Sequence, residues 1–256
     1  MKLQAALSTI AMLIASPALA DSTLTVDLSS VVRPATHVGN GSLYGVTEKL
    51  PADVMALIAP LHPNMFTNPA ANVQQPQGDA IVVAGRVKPL GARVTIRLAD
   101  WFPGWYSFTN MNDWLDKMRQ TVSRKKAASL TNVYAYEIWN EPNGTWKSDK
   151  PMAFNEFWRQ SFAKLRELDP DVKITGPSLA GYNGSFMQDF LSFCKTNNCL
   201  PDIIGWHESE SISNNVQAYR MLEKQLGVGP LPITINEYSG SGQLKDEGRP
   251  GSAAPL

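Results

Sequence analysis

Val133-Tyr-Ala-Tyr-Glu-Ile-Trp-Asn-Glu-Pro-Asn-Gly144 divides into an apolar half and a polar stop. Val133 to Trp139 is β-branched and aromatic, the composition of a strand. Asn140-Glu-Pro-Asn-Gly144 ends it, because Pro142 has no amide hydrogen to give a ladder and Asn-Gly favours a turn. The stretch therefore predicts a strand that delivers a carboxylate, Glu141, and a carboxamide, Asn140, at its carboxyl end. That end is where parallel α/β barrels present reactive side chains.

The flanking sequence repeats the pattern. Ser42–Val46, Asn64–Thr67 and Arg93–Ala99 read as strands before the quoted one; Lys173–Pro177, Asp202–His207 and Leu231–Asn236 read as strands after it. Between them lie helix-length segments. Pro51–Ala59 has Pro51 for its first turn and an apolar face of Val54, Met55, Leu57 and Ile58. Asp79–Pro89 fits a helix by position and a strand by its valines. Asn110 can cap a helix with Trp114, Leu115, Met118 and Val122 at helical spacing. Ala153–Leu168, Ser185–Lys195 and Asn214–Leu226 complete the set, the last stopped by Gly227 and Gly229. Seven strands alternating with helices predict a parallel α/β fold, and units of this size suit a (β/α)8 TIM barrel. Too few residues follow Glu237 for a further helix, strand and helix. The expectation is a barrel lacking the eighth strand and last helices, or one that a partner completes.

Composition narrows the function classes. The chain has 256 residues, with 23 basic and 23 acidic side chains. That balance gives no electrostatic reason to expect nucleic acid or an anionic membrane as partner. Residues 1–20 differ from the rest: Lys2, an apolar run from Ala5 to Ile14, and Ala18-Leu-Ala20 before Asp21 are the parts of a secretory signal peptide. The run is short for a membrane span. The expected organisation is a signal peptide over 1–20 and an incomplete barrel domain over 21–256, secreted or periplasmic. Export permits disulfides, and Cys194 and Cys199 are a candidate pair, with free thiols as the alternative. A structural zinc site would need two more ligands nearby.

Glu237 follows the seventh strand as Glu141 follows the fourth, and each has a carboxamide before it (Asn236, Asn140). Strands 4 and 7 of a closed barrel face each other across its mouth. Two carboxyl groups about 5–5.5 Å apart suit a retaining glycosidase, in which one protonates the departing oxygen and the other attacks the sugar. Their proximity also separates their acidities. The residues alone do not say which carboxylate does which.

The Trp139-Asn-Glu-Pro142 motif resembles the acid/base motif of the clan A glycoside hydrolases. The likeness, strongest to family 39, extends over roughly Ser42 to Tyr238 and includes Leu168-Asp-Pro-Asp-Val-Lys-Ile-Thr-Gly-Pro177 and Trp206-His207. The resemblance implies an acid/base at Glu141, a nucleophile at Glu237 and contact of Asn140 with the sugar 2-hydroxyl. It implies no metal or organic cofactor and a polysaccharide or oligosaccharide substrate with β-glycosidic bonds. Family 5-like endoglucanases share Asn-Glu-Pro and give an alternative; a shortened barrel that only binds glycans gives another. Where family 39 members commonly carry an arginine at the end of strand 2, this chain has Met65-Phe-Thr-Asn68. Arg97 on strand 3 either replaces it or forms an ion pair inside the barrel.

Other candidates follow from position. Trp101, Trp105 and Tyr106 share a loop at the catalytic end, and Trp146 and Tyr182 lie on later ones. Flat aromatics there are platforms for the apolar faces of sugars, or packing for the barrel rim. His207 can orient Glu237 or contact a hydroxyl, since a neutral imidazole both donates and accepts; a satisfied structural histidine is the alternative. Tyr238 borders Glu237 and joins the candidate sugar contacts. His37 and His62 read as incidental, and Glu208 and Glu210 as solvated loop. Asn40-Gly-Ser, Asn143-Gly-Thr and Asn183-Gly-Ser match a glycosylation pattern and read as turns.

Overall fold

The computed structural model describes residues 29–30, 33–34, 36–70, 77–101, 104–208 and 211–238. The chain divides into two units, Met1–Thr36 and His37–Leu256, and the second carries every element below. The signal-peptide reading of 1–20, Glu210 and the tail after Tyr238 lie outside the described residues. Among those residues no helix is long and apolar enough to cross a membrane.

Seven strands form one parallel sheet in chain order: β1 Gly41–Leu43, β2 Met65–Pro69, β3 Arg93–Arg97, β4 Val133–Glu137, β5 Lys173–Leu179, β6 Ile203–Glu208 and β7 Ile233–Tyr238. The helices are α1 Val54–Leu57, α2 Ala80–Val87, α3 Met111–Ala127, α4 Pro142–Thr145, α5 Phe154–Leu168, α6 Gly184–Thr196 and α7 Ile212–Leu226. A strand–helix alternation with all neighbours parallel needs crossovers, and the helices supply them. The sheet curls into a nearly closed barrel of the (β/α)8 type, of which the described residues supply seven strands with β1 and β7 at the edges.

Local chemistry explains most boundaries. Asn110 accepts from the Asp113 amide at 3.0 Å and starts α3; Asn183 accepts from the Phe186 amide at 3.0 Å and starts α6. Gly227, at φ 62°, ends α7 in the left-handed conformation that glycine tolerates. Asp79 accepts from the Ile81 amide and caps α2, so the ambiguous valine run is a helix. The segment over 51–59 is different. Asp53 starts only the single turn α1, and Pro60 sits in a 3-10 helix over Ala59–Leu61 that takes over directly after it. Met55 and Leu57, expected to face the core, are 53% and 61% exposed.

Burial is uneven around the sheet. In β3, β4, β5 and β6 nearly every residue is buried, whereas no residue of β7 is. Outside β4 and β5 lies an aromatic layer in which Trp139 meets Trp114, Trp146 and Phe157 at 5.6, 5.0 and 5.4 Å between ring centres. Trp158 lies so close to β5 that a Cβ on Gly176 would sit 2.4 Å from its ring.

The candidate pairing of Cys194 with Cys199 needs correction: both are free and buried thiols. Cys194 is in the last turn of α6, and the Cys199 amide donates to its carbonyl at 2.9 Å, so a backbone bond already closes the turn.

Candidate active site

The stretch from Val133 to Gly144 forms β4 and then a tightly tied loop. Glu141 adopts φ 52°, ψ 50°, a left-handed conformation that costs a non-glycine residue about 1–2 kcal/mol. Its amide donates to the Ser178 carbonyl at 2.7 Å, fastening it to the end of β5. Thr145 Oγ1 donates to the Asn140 carbonyl at 2.7 Å and accepts from Trp139 Nε1 at 2.9 Å. Asn143 Oδ1 accepts from the Ala180 amide at 2.9 Å. The side chains of the Asn143-Gly-Thr pattern thus hold the turn that aims Glu141. Strain held by surrounding bonds is typical of functional loops.

Glu141 and Glu237 meet at the mouth. One oxygen of each carboxylate and one ring nitrogen of His207 all lie within 4.8 Å of one another. His207 Nδ1 is 3.0 Å from Glu141 Oε1 and its Nε2 is 3.5 Å from Glu237 Oε1. The imidazole is buried between the two acids, which are 33% and 29% exposed. Its hydrogen bond holds the Glu141 carboxyl below the usual carboxylate range, against the opposing effect of burial. His207 is therefore hydrogen-bonded to Glu141 and stands near Glu237 without bonding it, where the sequence offered Glu237, a hydroxyl or a structural role. The same three side chains are the grouping whose spacing would suit one divalent ion.

Arg97 is buried, and its Nη2 is without a hydrogen-bond partner among the described residues. Its Nη1 donates to Glu237 Oε1 at 2.6 Å and its Nε to Glu137 Oε1 at 3.1 Å. Asp100 Oδ2 is 3.6 Å from Nη1 and accepts from the Tyr44 hydroxyl at 2.5 Å. Burial alone would weaken the charge on Arg97, but Glu137 and Asp100 outweigh it and keep the guanidinium protonated. Burial raises the pKa of Glu137 and Asp100 despite that cation. Both alternatives offered for Arg97 hold together: it is an interior ion pair and it also reaches Glu237. At the strand 2 position, Asn68 instead donates to the Gly78 carbonyl at 3.1 Å and secures a loop.

The aromatic candidates separate. Trp101 is 6% exposed and belongs to the core, and Trp146 is locked in the aromatic layer with Nε1 donating to the Met152 carbonyl at 3.0 Å. Trp101 is thus packed into the core, whereas Trp146 stays partly exposed at the edge of the aromatic layer. Tyr106 is half-buried, accepts from Asn140 Nδ2 at 2.8 Å and has its pKa pushed up to about 12 by burial. Trp105 is half-buried, Tyr182 packs edge-on against Trp206 at 5.4 Å, and Tyr238 is 59% exposed beside Glu237. Asn140 Oδ1 is buried without a hydrogen-bond partner among the described residues, as is His207 Nε2. Buried polar atoms of this kind call for a partner; Asn140 precedes Glu141 in the chain, and His207 Nε2 lies 3.5 Å from Glu237 Oε1. Glu208 accepts from Asn215 Nδ2 at 2.5 Å and ties down the start of α7 instead of lying free in a loop.

Sequence reading passed over Glu137, Asp100 and Tyr44. The available signal was a charged residue inside each of two apolar strands: Arg97 and Glu137 are register partners in β3 and β4. Opposite charges directly across a ladder, both pointing into a barrel, read as a designed pair.

A parallel barrel with strand-end glutamates facing each other has the clan A glycoside hydrolase fold. Within that clan the fold is family 39-like: residues 109–229 match the model of "Glycosyl hydrolases family 39". The chain is 24% identical, over 90% of its length and 29% of the relative's, to a 3-O-beta-L-arabinopyranosyl-alpha-L-arabinofuranosidase of Bifidobacterium pseudocatenulatum. It is similar to the solved structure of N2152 from Neocallimastix frontalis, with a TM-score of 0.77 and 47% identity, covering 84% of this chain and 55% of that one. A GH39 beta-xylosidase from Caulobacter crescentus shares the fold at a TM-score of 0.59 and 18% identity, with coverage of 78% and 52%. The chain thus spans about half the length of these structures and under a third of that curated relative.

Proposed function

We propose that this chain carries the reacting carboxylates of an exported, retaining glycoside hydrolase that cleaves pentose-containing oligosaccharides or polysaccharides, at β-glycosidic or α-L-arabinofuranosidic bonds. The observation carrying the reading is that one oxygen of Glu141 and one of Glu237 lie within 4.8 Å of each other, with a ring nitrogen of His207 within the same reach. That spacing suits a direct attack on the sugar; an inverting pair needs about 6.5–9.5 Å to admit a water. The pentose assignment draws on the arabinofuranosidase and on a "Beta-xylosidase" of Geobacillus stearothermophilus, 23% identical over half of this chain. Export draws on the sequence of residues 1–20.

In the first step Glu237 attacks the anomeric carbon and forms an ester. The bond to the leaving oxygen breaks, its electron pair stays with that oxygen, and Glu141 supplies the proton. In the second, Glu141 takes a proton from water, the resulting oxygen attacks the same carbon, and Glu237 departs as a carboxylate. Arg97 suits Glu237 to the role by donating to its Oε1 at 2.6 Å, which fixes where that carboxylate points. Glu141 must hold a proton first, and its bond to His207 opposes this. A bound sugar excludes water from the mouth and works the other way. Asn140, with Oδ1 unpartnered, is positioned for a sugar hydroxyl.

The test is turnover of aryl β-D-xylosides and aryl α-L-arabinofuranosides by the purified chain, with the first-formed anomer read by NMR. Retention supports the reading. Inversion, or sugar binding without turnover, overturns it in favour of a different mechanism or a glycan-binding barrel.

A further inference from the structure

The bonds that reach β7 across the barrel interior converge on one side chain. Glu137 is fully buried at the end of β4. Its Oε1 accepts from Arg97 Nε at 3.1 Å, and its Oε2 accepts from Asn236 Nδ2 at 2.7 Å. Arg97 in turn donates to Glu237, and Asn236 is its neighbour in the chain. Both routes to Glu237 therefore pass through Glu137, with Asp100 a further anchor for Arg97. Strand pairing supports β7 from one side: among the described residues it pairs in the sheet with β6, and none of its residues is buried.

We propose that Glu137 is a positioning residue that fixes Glu237 relative to Glu141 through paired bonds to Arg97 and Asn236. One strand then references both acids. Glu141 is set by the chain four residues beyond Glu137, and Glu237 is set by the Glu137 carboxylate. A shift at either end would change the gap between the two acids. Misplacement by about 1 Å costs on the order of 10²-fold in rate. The inference rests on the proposed role of Glu237 as nucleophile, and the experiment separates the two.

The probe is 2,4-dinitrophenyl 2-deoxy-2-fluoro-β-D-xyloside. Its leaving group departs without acid help, so the rate at which it esterifies Glu237, followed by intact mass, reports the nucleophile independently of Glu141. In E137Q the carboxylate charge facing Arg97 is lost, and the bond to residue 236 survives only if Asn236 turns over to present its Oδ1. The expected result is labelling slowed about 10–100-fold with the concentration for half-maximal rate changed less than about threefold. In E137Q/N236D the amide of residue 137 donates to the new carboxylate and the net charge is that of the parent. Labelling should return to within about tenfold of the parent, which a merely structural defect would not allow. E137Q labelling at the parent rate, or a double variant no faster than E137Q, overturns the inference.

If the parent turns over aryl glycosides yet labels elsewhere than Glu237, the nucleophile assignment has failed instead. Crystal structures of the parent and E137Q then decide the positioning claim: Glu237 and Asn236 displaced together supports it, and an unmoved pair overturns it. The same comparison applies if the parent does not react.

Discussion

The wall β3–β4–β5 and the flank β7 are built from similar apolar strands, yet they are held by different forces. The wall is paired on both sides, buried on both faces and backed by the aromatic layer. Among the described residues β7 is half-exposed, paired in the sheet with β6 on one side, and anchored across the interior by Arg97 and the Glu137–Asn236 bond. Glu141 grows from the wall and Glu237 from the flank. The difference shows how a reacting group on a weakly packed strand can still be placed: directional side-chain bonds substitute for burial.

The sharpest contrast is chemical. Glu237→Ala should abolish turnover of aryl glycosides, by roughly 10³-fold or more, because no other group replaces a nucleophile. Azide should restore turnover and yield a glycosyl azide of the anomeric configuration opposite to the substrate. Glu141→Ala should be nearly as slow on substrates with poor leaving groups, but its azide product should keep the substrate's configuration. Identical azide products from the two variants would erase the assignment of roles.

His207 lies between the wall acid and the flank acid, so its removal should weaken both. His207→Ala is expected to lower kcat/KM about 10–100-fold. It should also let the Glu141 carboxyl rise toward its ordinary range, so the protonated acid persists to higher pH and the alkaline limb of the rate profile moves up. The same depressed carboxyl sets the sign of the stability effect. Its contribution is present above the unfolded value of about 4.3 and is lost as pH falls through the lower folded value. Urea midpoints between pH 3 and 7 should therefore fall less steeply on acidification in the variant. An unchanged alkaline limb would mean that His207 does not tune Glu141.

The sequence carried the wall more clearly than the flank for the same physical reason. Strands buried on both faces must be continuously apolar, so β3 and β4 stand out. The turn at Asn140–Gly144 announces itself through Pro142 and Asn143. The one-turn α1 was misjudged because its apolar residues look like a core face, and exposure of Met55 and Leu57 shows that spacing alone does not bury a side chain. The two glutamates were legible from their strand-end positions. Glu137 was not, because a charge inside a strand gains meaning only once register sets it against Arg97. Trp101 and Trp146 were offered as sugar platforms or as packing for the rim, and the packing that buries Trp101 and half-buries Trp146 is tertiary.

Stability should divide along the same line. Ile96 in the wall is fully buried, and Ile96→Ala should cost about 2–5 kcal/mol. Ile235 in the flank is partly exposed, so Ile235→Ala removes less from contact and should cost about 1 kcal/mol. Urea unfolding of both variants measures the gap. Equal costs would mean that β7 is as tightly packed as the wall.

The smallest effect concerns the turn after α6. A bridge between Cys194 and Cys199 would add little even if it formed, because its loop is short and the chain entropy it removes is small. The backbone bond from the Cys199 amide to the Cys194 carbonyl already closes that turn, and Trp158 Nε1 donates to the Cys199 carbonyl at 2.8 Å, tying it to α5. A reductant should therefore shift the melting midpoint by less than about 1 °C, with each cysteine titrating as a thiol after denaturation without reductant. A fall of several degrees on reduction, with no thiol titrating beforehand, would show instead that a covalent link holds this turn and that its backbone bonds are secondary.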